Sequence, residues 1–122
     1  MHEYGLTKGI VKIMLKAADE HQALRVTGAR LVVGENTSII PGSVQLYFDQ
    51  IAKGTKAEGA VLSIRTVKAE MRCPLCETNF IRPRFSFECP ACGTLGNPTQ
   101  IGNEFYLESV ELEDGKEEGG IP

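Results

Sequence analysis

The chain has no run approaching the roughly 20 apolar residues needed to cross a bilayer. Residues 1 to 20 carry several charges and no apolar signal-peptide core. These absences argue against a membrane protein and lead us to expect a cytoplasmic one. Positive charge is also scarce. Thirteen basic residues face sixteen acidic ones, for a net charge of −3 and a pI near 5.4, which argues against a dominant affinity for nucleic acid. Nothing pairs a nucleophile with a base, cradles a phosphate in glycines or leaves a metal site open, so no enzymatic activity and no catalytic residue is expected. Beyond two short cysteine pairs, no internal repeat is visible.

Those pairs are the whole cysteine content, Cys73-Pro74-Leu75-Cys76 and Cys89-Pro90-Ala91-Cys92. A two-residue gap lets one backbone turn aim two thiolates at the same ion, and two such turns complete the tetrahedron that Zn²⁺ prefers. A thioredoxin-like dithiol would leave the second pair superfluous. Two disulfides would need an oxidising compartment. An iron site of the rubredoxin kind has the same ligand set and stays open at this point. A shell closed by four thiolates reads as structural.

Between the pairs stand Phe80, Ile81, Phe85 and Phe87 with Arg82 and Arg84. Aromatics beside arginines can stack on bases, but residues 71–93 carry a formal charge of only +1, which a zinc with four thiolates turns negative. The expectation is that the aromatics cover the metal while the arginines offset its anionic centre. Gly93 after Cys92 suits the positive φ of a tight knuckle. Glu77 holds the matching place after Cys76.

Around this module the periodicities give an α+β chain. Leu6, Ile10, Ile13, Met14 and Ala17 mark an amphipathic helix over 4–20, and Val44, Tyr47, Phe48 and Ile51 a second one entered at Pro41 and ending near Gly54. Residues 24–33, 60–69 and 105–112 alternate as strands. The fold class expected is α+β, two helices packed on a small sheet of about three strands, with an inserted zinc-ribbon-like four-cysteine module. If the strands 60–69 and 105–112 pair, the chain leaves the sheet at about Glu70 and returns near Asn103. The expected domains are an α+β domain of 1–70 plus 104–113, which includes the amino-terminal donors considered next, a zinc module over 71–103, and a disordered acidic tail over 114–122.

The nickel assignment begins from Met1-His2-Glu3. An unblocked α-amine, the His2 amide nitrogen and the His2 imidazole can form fused chelate rings, with Glu3 adding a fourth donor through its amide or carboxylate. Such a nitrogen-rich, near-planar set suits Ni²⁺ or Cu²⁺. Taken alone, a histidine after the initiator methionine and a glutamate at a helix start are both ordinary. His21 lies at a helix end and receives no metal role.

Four segments in register resemble the HypA/HybF family, the nickel metallochaperones of hydrogenase maturation. They are Met1-His2-Glu3 before a helix, Gly34-Glu35-Asn36-Thr37-Ser38-Ile39-Ile40-Pro41, Lys53-Gly54-Thr55-Lys56-Ala57-Glu58-Gly59-Ala60, and the paired cysteine knuckles. The match runs from residue 1 to about 112. The resemblance implies a non-enzymatic carrier that binds Ni(II) through His2, with Met1 and Glu3 assisting, and holds structural Zn(II) on Cys73, Cys76, Cys89 and Cys92. It implies delivery, with a nickel-delivery GTPase, to the large-subunit precursor of NiFe hydrogenase. Urease accessory proteins and a homodimer are compatible with it; nucleic acid and membrane are not among the expected partners. The chain departs from the family pattern at Glu77, where a small residue is expected, and in the tail after Glu113. The competing reading is a zinc ribbon that binds nucleic acid or protein and has no nickel role.

Overall fold

The computed structural model describes residues 3–114. Met1 and His2 of the expected nickel site, and all but the first residue of the expected acidic tail, lie outside the described residues. The chain runs α1 (Glu3–Glu20), β1 (Ala23–Gly34), a 3-10 turn (Glu35–Thr37), α2 (Pro41–Ala52), β2 (Val61–Val67), β3 (Glu70–Cys73), β4 (Thr78–Ile81), β5 (Asn97–Pro98) and β6 (Phe105–Asp114). This is the α+β fold expected from the sequence. No helix among the described residues is long and apolar enough to cross a membrane.

Helix α1 buries Thr7, Ile10, Val11, Met14 and Ala18, one face at intervals of three and four. That face is rotated from the expected stripe: Ile13 is exposed, and Thr7 takes a place in the core. Its hydroxyl donates to the Glu3 carbonyl at 2.7 Å, one turn back, so a buried polar group is satisfied without leaving the helix. Helix α2 starts on Pro41 and buries Val44, Phe48 and Ala52. Tyr4 of α1 meets Tyr47 of α2 edge to face, with ring centroids 5.4 Å apart.

Two three-stranded sheets form, in the orders β2-β1-β6 and β4-β3-β5. Strand β1 therefore lies between β2 and β6, and the pairing of 60–69 with 105–112 that the sequence allowed does not occur. The physical reason lies in β1 itself: it is 12 residues long, and it is buried without alternation from Leu31 to Gly34. A strand covered on both faces belongs in the middle of a sheet.

The described residues divide into two compact units, one of 3–31, 39–65 and 106–114, the other of 32–38 and 66–105. In the first, Ile10, Met14, Val26, Leu31, Val44 and Phe48 supply the core. In the second, β3 pairs antiparallel with β4, Met71 opposite Phe80 and Cys73 opposite Thr78, and with β5, Met71 opposite Pro98. Glycine is required where this unit closes on itself. Gly34 N–H donates to Glu104 O and Asn36 N–H to Gly102 O, both at 2.7 Å, and a Cβ on Gly34 would run into the Gly102 carbonyl.

Candidate metal centre

Each cysteine pair sits on a turn closed by a main-chain hydrogen bond. Glu77 N–H donates to Cys73 O at 2.8 Å, and Gly93 N–H to Cys89 O at the same distance. Both donors have positive φ, 58° at Glu77 and 79° at Gly93. The knuckles thus share one backbone shape despite their different fifth residues. In the first, the Cys76 N–H also points at Cys73 Sγ, 3.3 Å away, which helps to disperse thiolate charge.

The turns bring all four sulfurs within 4.8 Å of one another, Cys73 and Cys89 buried, Cys92 exposed and Cys76 open to solvent. Cys73 Sγ lies 3.5 Å from Cys92 Sγ, and Cys76 Sγ 4.0 Å from Cys89 Sγ. A zinc tetrahedron with Zn–S near 2.3 Å needs S···S separations of about 3.8 Å, which those two distances bracket. The cluster fits structural zinc. Such an ion would complete a shell of four thiolates and supply folding energy rather than a reactive position.

Thr94 belongs to this site and was missed by sequence reasoning, since a threonine two residues beyond a knuckle carries no spacing signal. Its hydroxyl lies 3.3 Å from Cys92 Sγ. That side-chain hydrogen bond and the Thr94 backbone N–H hold the Cys92 thiol down to about 6. Cys76 is pushed up to about 12, chiefly because its thiol shares a proton with Cys92 and then with Cys73. Before metal binds, the thiols titrate as a coupled cluster in which Cys92 is favoured as the thiolate.

The aromatics between the knuckles do not cover the metal. Phe85 is 93% exposed and Phe87 54%. Only Phe80 is partly sheltered, its ring edge against Gly96, where a Cβ would come within 2.6 Å. The arginines stack on the exposed rings instead, Arg82 over Phe87 at 5.8 Å and Arg84 over Phe85 at 5.3 Å. A small module exposes these rings because β3, β4 and β5 are too short to enclose them.

Of the expected nickel donors, Glu3 alone is among the described residues. It opens α1, and its carboxylate Oε2 accepts a hydrogen bond of 2.7 Å from the Ile40 N–H. Ile40 is the N-cap of α2 and has no side-chain cap of its own. Glu3 therefore supplies from a distance the acceptor and the negative charge that a helix start favours. The contact ties the start of α1 to the start of α2.

Comparison with known proteins agrees with this geometry. A family model described as hydrogenase/urease nickel incorporation, metallochaperone, hypA matches residues 1–112. The hydrogenase maturation factor HypA of Caldanaerobacter subterraneus subsp. tengcongensis is 40% identical over 114 residues, 93% of this chain and 100% of that protein. The protein of the same name from Archaeoglobus fulgidus is 38% identical over 115 residues, 93% of this chain and 99% of the relative. Among solved structures, the Ni metallochaperone HypA from Helicobacter pylori, determined in solution, superposes with a TM-score of 0.63 at 24% identity, covering 93% of this chain and 99% of that one. At that identity the likeness speaks for the fold.

Proposed function

This chain belongs to the HypA family of hydrogenase/urease nickel-incorporation metallochaperones, and from that premise we propose that it takes up Ni(II) at its amino terminus and delivers it to the large-subunit precursor of a NiFe hydrogenase. The donors in this reading are the Met1 α-amine, the amide and imidazole nitrogens of His2, and Glu3. The observation that carries it is the donor run Met1-His2-Glu3, whose last residue opens α1, within the stretch that the family model matches from residue 1. Chelate rings formed by consecutive residues need no preformed cage, so the metal is held at the surface and leaves by ligand exchange.

The anchoring of Glu3 on α2 supports this reading. With Oε2 held by the Ile40 N–H, the last residue of the donor run is fixed at the start of α1. Selection then rests on nitrogen donors and near-planar geometry, and release on protonation of the imidazole and amine or on capture by a stronger site. The chain acts as a carrier, not a catalyst, in the cytoplasm, with a GTPase partner and a structural zinc on Cys73, Cys76, Cys89 and Cys92. Delivery toward urease is the second outlet that the family description leaves open.

Transfer itself tests the proposal. Nickel-loaded full-length protein, mixed with the GTPase and the metal-free large-subunit precursor, is expected to leave nickel in the re-isolated precursor. Equal transfer from a His2→Ala variant, or none from either, would reject it.

A further inference from the structure

The second compact unit carries a cation-rich cleft that neither metal site uses. It is an open cleft of about 550 Å³ lined by Glu35, Lys68, Arg82, Pro83, Arg84 and Phe85. We propose that this cleft docks a carboxylate-bearing, partly apolar segment of a partner protein, with Arg82 as the acceptor-seeking donor and Phe85 as the apolar anchor.

The floor of the cleft is built, not incidental. Ala69, 2% exposed, is clamped from both sides: its N–H donates to Glu35 Oε1 at 2.8 Å, and its carbonyl accepts from the Arg82 N–H at 3.1 Å. Arg82 is thereby held by its backbone, yet its side-chain Nε is buried without a hydrogen-bond partner. A donor left unpaired at a buried Nε is costly, so the guanidinium gains by turning toward an arriving carboxylate, which it meets in the planar, forked geometry that arginine favours. Lys68, Arg82 and Arg84 enter none of the ion pairs formed among the described residues, which join Arg25 to Glu113, Lys56 to Asp19 and Arg65 to Glu108.

Phe85 points to the apolar part of the ligand. It holds the third place of a turn closed by Ser86 N–H to Pro83 O at 3.3 Å, with a φ of 61°. Glycine usually fills such a place. Here a phenylalanine does, 93% exposed, so the turn accepts both backbone strain and an uncovered aromatic ring. Strain combined with exposure marks a surface kept for contact. A protein ligand is favoured over nucleic acid by charge: the chain is net −3, a four-thiolate zinc adds more negative charge, and Glu35 lines the cleft itself, so a polyanion finds one local foothold and no basic track.

The site is independent of nickel and is tested without it. Zinc-loaded full-length protein labelled with ¹⁵N is titrated, near 0.15 M salt to screen long-range attraction, with a blocked peptide of alternating leucine and glutamate, its glutamine counterpart, sodium phosphate, and a short oligothymidylate. The glutamate peptide is expected to shift the Arg82 Nε–H and Phe85 amide signals saturably and to bind about tenfold tighter than the glutamine peptide. Lys68→Ala with Arg84→Ala should weaken it about tenfold. Phe85→Gly should weaken it equally while leaving zinc retention and thermal midpoint unchanged or raised, because glycine relieves the turn; this separates docking from folding. Absence of peptide-induced shifts, phosphate matching the peptide in affinity, or oligothymidylate binding more tightly would each overturn the proposal.

Discussion

Glu77 and Gly93 hold equivalent positions in the two cysteine knuckles, each with positive φ and each donating its N–H at 2.8 Å to the carbonyl of the first cysteine of its pair. The first knuckle therefore keeps with a glutamate a conformation that glycine adopts without cost. Glu77→Gly should stabilise the zinc-bound protein by about 1 kcal/mol, and Gly93→Ala, whose Cβ meets nothing within 4 Å, should destabilise it by about the same through backbone strain alone. Thermal unfolding of the zinc-loaded variants checks both signs.

Zinc retention should depend on pH in a defined direction. Cys92 is held down to about 6, so above that value it offers a thiolate without first losing a proton. As pH falls through 6, each ligand must release a proton to bind, and affinity drops more steeply. Thr94→Val removes the hydroxyl that contributes most to this lowering. Its zinc should be released at higher pH than in the native chain, with about tenfold weaker binding at neutral pH. Competition with a chromophoric chelator across the pH range measures it.

The Glu3 bridge to α2 separates two roles of one carboxylate. Glu3→Ala removes the acceptor for the Ile40 N–H and should cost about 1 kcal/mol, as for other lost caps. Glu3→Gln keeps an acceptor and should recover most of that loss. Chemical denaturation distinguishes them; equal destabilisation by both would show that charge at the start of α2, not the hydrogen bond, is what matters.

Closure of the second unit around Gly34 should tolerate no side chain. A Cβ there would meet the Gly102 carbonyl and lie 2.6 Å from Glu104 N, all main chain that cannot swing aside. Gly34→Ala should destabilise by about 2 to 3 kcal/mol, read as a lower denaturation midpoint.

Both helices, the three strands of the larger sheet and the cysteine cluster were legible because each rests on local spacing. Val44 and Phe48 announce a helix, and Cys73 and Cys76 a knuckle, without reference to distant residues. The order β2-β1-β6 was not legible, since it depends on which strand must be covered on both faces, a property of the packed molecule. The burial of Thr7 in place of Ile13 escaped for a related reason: a helix stripe can rotate when a hydroxyl finds the Glu3 carbonyl one turn back. Phe85 and Phe87 looked like core cover because phenylalanine usually is, yet the strands beside them are too short to enclose their rings. Thr94 acts by proximity alone, and no pattern announces it.

Nickel titration of the untagged full-length protein with a free α-amine, beside His2→Ala, decides whether the amino terminus is the nickel site. The native chain should bind Ni(II) with an affinity that falls as pH drops through about 6.5, the ordinary range of histidine. The variant should lose more than about 100-fold, the upper end of what an outer-sphere partner alone would cost. Equal affinity in the two proteins, or one that stays constant from pH 7.5 to about 5.5, would contradict it.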